Sequence, residues 1–237
     1  MIALYHLIFL KPTFNALIGL YNLVGDMGVA IILLTIVVRV IIFPVTIRSL
    51  KSQKALQGLQ PKLSALKEKY KGDKQALAKA TMQLYKEEKV NPASSCLPLF
   101  IQLPVFIALY QAMQIGLENK GMEFLYHFVE RPETIQAVAF GFLNLAKASI
   151  PLAVLAGLSQ FWQGKMLVQT KPAVKSEGSK DEAMLAVMNK QMVYVMPVMT
   201  VVIGASLPGG VILYWLVTNL LTVAQQYVFL KPKPSNP

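Results

Sequence analysis

Apolar and polar positions form long separate blocks along this chain, and the apolar blocks set its predicted architecture. Five blocks hold about 20 predominantly apolar residues each, the length that an α-helix needs to cross a bilayer. The pattern therefore predicts five transmembrane helices, at 27–45, 96–117, 139–163, 188–206 and 211–230.

The segment before the first apolar block has a weaker pattern. Phe14, Ile18 and Tyr21 fall on one face of a helix, and Lys11 precedes them. Residues 1–26 are therefore predicted to form a short amphipathic helix that lies in the membrane interface. The alternative is a first membrane span interrupted by the Lys-Pro pair at its centre.

A basic segment separates the first two apolar blocks. Residues 46–92 hold eleven Lys or Arg residues against four acidic residues, and leucines recur at spacings of three and four on both sides of a turn at 71–73. This pattern predicts an antiparallel helical hairpin with a narrow apolar seam and a basic exterior. Pro61 should break or kink its first arm. The seam residues are Leu56, Leu59, Leu63, Leu66, Tyr70, Leu77, Ala80 and Leu84.

The other connections predict the orientation of the chain. Basic residues recur in a polar loop at about 164–186 and in the last residues, whereas 118–135 holds four acidic and two basic residues. By the positive-inside rule the basic segments and the C-terminus are cytoplasmic, and the N-terminus is outside. The predicted organisation is an interfacial helix at 1–26, a first span at 27–45, a cytoplasmic hairpin at 46–92, four further spans and their loops within 93–230, and a disordered tail at 231–237.

Composition agrees with a membrane protein. The chain of 237 residues is 54% hydrophobic and 15% charged, with a mean hydropathy of +0.48, which excludes an ordinary soluble domain. The single cysteine, Cys96, rules out an intramolecular disulfide framework. The first residues lack a signal-peptide layout.

One cation breaks the first apolar block. Arg39 lies past the middle of the span at 27–45, where a charge costs roughly 2.5–3.5 kcal/mol on insertion scales. Such a residue needs a partner or water. Each of the other four spans carries polar side chains in its predicted cytoplasmic half, and together these predict a hydrophilic groove open to the cytoplasm and closed outside. Those side chains are Gln102, Gln160, Gln163, Asn189, Tyr194, Asn219 and Thr222. The alternative is that they are interfacial residues and hydrogen bonds between helices.

Methionines accompany the fourth span. Met188, Met192 and Met196 are spaced by four, so they stack on one helix face. Methionine is flexible and polarizable, which suits a surface along which varied apolar segments slide. Packing in the core or against lipid explains the same spacing.

The sequence shows no arrangement of residues that is typical of a catalytic site. The two histidines stand far apart without metal-ligand spacing, and no glycine-rich phosphate loop is present. The spans also lack the intramembrane carboxylates that ion-coupled carriers commonly use. We therefore expect no enzyme activity, no cofactor and no metal.

Several motifs in order identify a family. The chain resembles the YidC-type membrane protein insertases over about residues 14–230. The motifs are Thr35-Ile-Val-Val-Arg39-Val-Ile-Ile-Phe-Pro44, Asn91-Pro92, Cys96-Leu-Pro98, Gln102-Leu-Pro104-Val-Phe-Ile-Ala-Leu-Tyr110, Met196-Pro197, Leu207-Pro-Gly-Gly-Val-Ile-Leu-Tyr-Trp215-Leu-Val-Thr-Asn219 and Gln225-Gln226.

The resemblance implies an all-α membrane fold and a function. Five transmembrane helices would enclose the cytoplasm-open groove, with the helical hairpin and the interfacial helix attached. Arg39 matches the groove arginine, Thr35 matches the polar residue one turn earlier, and Trp215 matches an aromatic residue that contacts substrate. The implied protein is a multi-pass insertase and chaperone of the bacterial plasma (inner) membrane. It would move short N-terminal tails and hydrophobic segments into the bilayer without nucleotide hydrolysis.

Partners and rival functions follow from the same residues. Nascent membrane proteins are the expected substrates, and the basic hairpin favours the ribosome or anionic lipids as partners. The SecYEG translocon is a further expected partner, and the chain is expected to be mostly monomeric. Two alternatives stay open: a small anion channel or solute carrier that uses Arg39 as its anion site, and a chaperone that acts only after another translocon.

Overall fold

The computed structural model describes residues 2–91, 97–117, 120–167 and 191–229, which are mostly helical. The helices are α1 (Ile2–Tyr5), α2 (Lys11–Val24), α3 (Met27–Gly58), α4 (Gln60–Lys69), α5 (Lys74–Glu87), α6 (Leu97–Leu117), α7 (Ile150–Leu167), α8 (Met196–Gly204) and α9 (Gly209–Phe229). π-helical turns at His6–Leu10 and Gln191–Val195 lead into α2 and α8, and a 3₁₀ turn covers Met122–Phe124. Strands β1 (Val138–Ala139) and β2 (Leu143–Asn144) pair antiparallel, with Ala139 opposite Leu143.

Several of these helices suit a membrane. In the described ranges, three helical stretches are long and apolar enough to cross one: Ala3–Val24, Met27–Leu56 and Gly209–Phe229. Phe100–Gly116 and Val193–Gly204 are shorter apolar helices. The expectation of an all-α membrane protein is therefore confirmed in outline. The number of spans stays a prediction, as does the interfacial position of residues 1–26, because length and composition would also let the first stretch cross.

The turn between α2 and α3 is encoded locally. Gly25 ends α2 in the left-handed conformation at φ 72°, which glycine adopts without steric cost. Asp26 then caps α3, because its Oδ1 accepts a hydrogen bond of 3.0 Å from the backbone N–H of Val29. Its Oδ2 accepts one of 2.6 Å from the N–H of Phe140, which ties this turn to the β-hairpin.

Helix α3 continues well past the predicted end of the first span. It runs without a break from Met27 to Gly58, and a turn residue, Leu59, separates it from α4. Pro61 stands in the first turn of α4, where its missing N–H does no harm. Asp73 caps α5 by accepting hydrogen bonds from two backbone N–H groups, and Lys62 of α4 forms an ion pair with Glu88 just after α5.

The predicted third span begins too early. We expected a helix over 139–163, but α7 starts at Ile150, and 138–144 form the β-hairpin. The backbone of the following segment pairs with the start of α9: Gly209 N–H donates to Lys147 O at 2.8 Å, and Gly210 N–H to Leu145 O at 3.1 Å. The predicted loop at 164–186 and the tail at 231–237 lie largely or wholly outside the described residues.

The bundle has two unlike ends. We call the end that carries α4 and α5 the hairpin end, and the end that carries 120–149 the loop end. The main apolar core lies toward the loop end, where α2, α3, α6 and α9 meet. Its fully buried members include Phe14, Ile18, Ile31, Leu109, Leu145 and Val211. Helix α9 packs between α3 and α7, and α8 packs against α7.

Candidate functional site around Arg39

Arg39 is buried between α3 and α9. Its side chain is 9% exposed, and its Nη2 donates hydrogen bonds to Thr218 O at 3.0 Å and to Thr222 Oγ1 at 2.8 Å. The Thr222 hydroxyl in turn donates to Thr218 O at 2.8 Å. The guanidinium therefore reaches across to one polar turn of α9.

The parallel packing of these two helices creates the contact. The side chain of Ile31 faces Gly210, where an added Cβ would lie 3.1 Å from Ile31 Cδ1. Further along, the rings of Phe43 and Phe229 meet edge-on at 5.9 Å. Arg39 lies between these two contacts, so the register of α3 against α9 places it opposite Thr218 and Thr222.

The positive charge of Arg39 has no anionic partner in the described part of the chain. Both hydrogen-bond acceptors are neutral, and Nε has no hydrogen-bond partner. No described carboxylate forms an ion pair with it. A buried cation without a counter-ion keeps a strong attraction for a negative group, because the surroundings screen it less than water does.

Other predicted groove residues join neighbouring helices. Gln102 of α6 donates a hydrogen bond to the hydroxyl of Tyr214 on α9. The ring of Trp215 meets that of Phe106 edge-on at 5.6 Å. Both contacts join α6 to α9, so Gln102 and Trp215 lie where these two helices meet.

Two predicted residues connect α7 to its neighbours. The Nδ2 of Asn219 donates to Ala156 O at 3.2 Å and to Ser159 Oγ at 3.1 Å. The hydroxyl of Thr200 donates to Gln160 Oε1. Here the structure has the hydrogen bonds between helices that were the alternative explanation for these side chains.

The remaining predicted residues are more scattered. Thr35 is fully buried, and its hydroxyl donates to Ile31 O at 2.6 Å. Tyr194 is 52% exposed with its ring 5.7 Å from that of Phe161, Met196 is 48% exposed, and Gln163 is half-buried. Met188 and Asn189 lie outside the described residues, and of Met192 only the backbone is described.

Thr218 and Tyr214 were not among the predicted groove residues, and Gln226 was noted only as part of a motif. Thr218 and Tyr214 contribute directly to the contacts above, and Gln226 is 1% exposed on the same helix. Thr218, Thr222 and Gln226 are spaced by four, so they form one polar stripe on α9. That spacing was the signal available in the sequence.

The described ranges hold no group of three His, Cys, Asp or Glu side chains that could bind a metal ion.

Comparison with known proteins identifies the family. The family model described as 60Kd inner membrane protein matches residues 19–236. Membrane protein insertase YidC of Fusobacterium nucleatum is 36% identical over 208 residues, which cover 88% of each chain. The YidC of Pelobacter propionicus is 37% identical over 219 residues, which cover 91% of this chain but 37% of that one.

A solved structure agrees with the fold. It is described as an active YidC insertase with the first transmembrane domain resolved, and it superposes with a TM-score of 0.62 at 26% identity. The match covers 92% of this chain and 46% of that chain. This chain thus spans 37% of the Pelobacter protein and 46% of the solved one, both of which are about twice its length or more, whereas it spans most of the Fusobacterium protein. The matches over nearly its whole length show that the chain belongs to the 60Kd inner membrane protein family, that of the YidC-type membrane protein insertases.

Proposed function

We propose that this chain is a membrane protein insertase and chaperone that moves short N-terminal tails and hydrophobic segments of nascent membrane proteins from the cytoplasm into the bilayer. The observation that carries the proposal is Arg39, a buried cation whose acceptors are both neutral. The relatives named as insertases support it.

Arg39 acts as an electrostatic attractant. A short acidic tail that approaches from the hairpin end is drawn toward the guanidinium. At 4 Å, a charge pair is worth about 4 kcal/mol at an effective dielectric constant of 20, against about 1 kcal/mol in water. That gain offsets part of the cost of moving a carboxylate into the membrane.

Apolar burial drives the second step. The hydrophobic segment behind the tail partitions into lipid at about 25 cal/mol per Å² of apolar surface removed from water. Burial of this size requires no nucleotide hydrolysis. Trp215 and the methionines of the fourth span offer the apolar surface along which the segment moves.

In this proposal the two ends of the bundle have different roles. The apolar core at the loop end supports a seal on the outer side, because four helices pack there around buried apolar side chains and the buried amide of Asn15 is hydrogen-bonded to backbone groups. In this proposal the hairpin end and the C-terminus face the cytoplasm, as the positive-inside rule predicts, and the protein resides in the bacterial plasma membrane.

Charge reversal tests the proposal. In reconstituted vesicles, Arg39→Glu is expected to lower insertion of an acidic-tailed substrate at least tenfold, because attraction becomes repulsion, whereas Arg39→Lys keeps most of it. A substrate with a neutral tail should lose much less. The matched control is Arg131→Glu, which reverses an exposed arginine in the 120–149 connection.

Two results would contradict the proposal. One is full insertion of the acidic-tailed substrate by Arg39→Glu, which would remove the electrostatic role. The other is anion flux through the wild-type protein that depends on Arg39 in the absence of any substrate, which would favour the channel alternative.

A further inference from the structure

A tight turn at the loop end presents an aromatic side chain to the outside. Phe140, Gly141 and Phe142 join β1 to β2, and the rings of Phe140 and Phe142 lie 6.3 Å apart. Phe142 is 81% exposed. A phenylalanine this exposed is unfavourable in water, since burying such a side chain is worth roughly 1.5–3 kcal/mol.

The turn is held firmly despite its exposed position. Phe140 has φ 55°, a conformation that non-glycine residues adopt at a cost of about 1–3 kcal/mol. The hydrogen bond from its N–H to Asp26 holds it there. Gly28 of α3 lets the hairpin approach, because a Cβ at that position would lie 2.6 Å from Ala139 Cβ and 2.7 Å from Phe140 Cζ.

The starts of two spanning helices fix the level of this turn in the membrane. The hairpin contacts the first residues of α3, and the segment after it is hydrogen-bonded to Gly209 and Gly210 at the start of α9. The apolar stretches of both helices begin there, at Met27 and Gly209. A spanning helix begins at the boundary between headgroups and hydrocarbon, so the turn lies at that boundary.

An exposed apolar stripe runs along α7 from its first residue. Ile150 is 64% exposed, and Leu155 and Leu158 are 50% and 59% exposed. In a membrane protein this stripe faces lipid. Ala148, just before α7, pairs with Pro208 just before α9, so Ile150 marks the lipid-facing surface near the level of the Phe140–Phe142 turn.

We propose that the Phe140–Phe142 turn inserts into the headgroup–hydrocarbon boundary of the leaflet at the loop end and anchors the bundle at that depth. Phenylalanine, like tryptophan and leucine, is a side chain that interfacial segments bury at the boundary between headgroups and acyl chains. The partner is the lipid surface itself. The inference rests on the membrane location of the family and is independent of the insertase activity.

Spin-label accessibility in lipid nanodiscs tests the anchor. Cysteines introduced singly at Phe142, Leu155 and Glu133 in a Cys96→Ser background carry the label. The ratio of collision rates with oxygen and with a water-soluble nickel complex reports depth. We expect the ratio for Phe142→Cys to lie between that of Leu155→Cys, which is about five helical residues deeper, and that of Glu133→Cys, and to be several-fold above the latter, an exposed site in the 120–149 connection.

Two outcomes would overturn the anchor. A ratio at position 142 equal to that at position 133 would place the turn in water. Low accessibility to both reagents would mean that protein covers it. Alkylation by a charged maleimide gives a second readout, and it should be several-fold slower at position 142 than at position 133.

Discussion

At the scale of single residues, Gln226 is a buried amide without hydrogen-bond partners in the described structure. It is 1% exposed on α9, and neither its Nε2 nor its Oε1 has a hydrogen-bond partner in the described structure. A buried polar group left unpaired costs about 1–3 kcal/mol. Gln226→Met keeps the side-chain length and removes that cost, so the melting temperature in detergent should hold or rise.

Asn15→Leu is the matched contrast. Asn15 is also buried, but its side chain donates to Phe124 O and Lys11 O, both at 2.8 Å, and accepts from Tyr126 N–H at 2.6 Å. Its replacement should destabilise the protein by about 2–4 kcal/mol, because backbone groups are left unpaired. A fall in melting temperature for Gln226→Met as large as that for Asn15→Leu would contradict this account.

The sequence predicts that Arg39 belongs to a functional site, but it does not predict which residues surround Arg39. A cation in an apolar block stands out by its cost alone. Its acceptors, Thr218 and Thr222, lie about 180 residues further along the chain. Which turn of α9 faces Arg39 depends on the register of two helices, and no local pattern encodes that register.

At the scale of helices, α7 and α8 approach closely at Gly157. A Cβ there would lie 2.5 Å from Val201 Cγ2 and 3.0 Å from Pro197 O. Gly157→Ala should therefore push the two helices apart and destabilise the protein by about 1–3 kcal/mol, the usual range for overpacking. Thermal unfolding in detergent measures this.

Gly19→Ala on α2 is the control. Nothing lies within 4 Å of a Cβ at that position, so the added methyl group should stabilise the helix by up to about 1 kcal/mol. Equal effects of the two substitutions would show that α7 and α8 do not depend on close contact at Gly157.

The start of α7 shows where prediction from sequence fails. The apolar run near 139–145 fits a strand as well as a helix, because periodicity does not separate the two in short runs. Hydrogen bonds to residues far along the chain determine which of the two forms. The N–H of Phe140 donates to Asp26, and the N–H of Gly209 donates to Lys147 O. Pro61, by contrast, acts locally, and the helix is interrupted two residues before it, at Leu59, as its missing N–H predicts.

At the scale of the whole molecule, the buried charge and the main apolar core lie at different levels of the bundle. Aromatic and aliphatic side chains make up most of the core at the loop end, where Asn15 is a hydrogen-bonded polar exception, whereas Arg39, Thr222 and Gln226 are buried further toward the hairpin end. This asymmetry is the feature that suits a one-way path, since a tail can be drawn in from one end but not released at the other without passing the apolar core.

The most direct test asks whether a nascent chain reaches this site. A photo-crosslinking amino acid at Trp215 on α9, the helix to which Arg39 donates its hydrogen bonds, is compared with one at Leu155 on the exposed stripe of α7, using a ribosome-stalled chain with an acidic tail. We expect strong crosslinks from position 215 that Arg39→Glu reduces several-fold, and weak ones from position 155. Equal crosslinks from both positions, unaffected by Arg39→Glu, would contradict it.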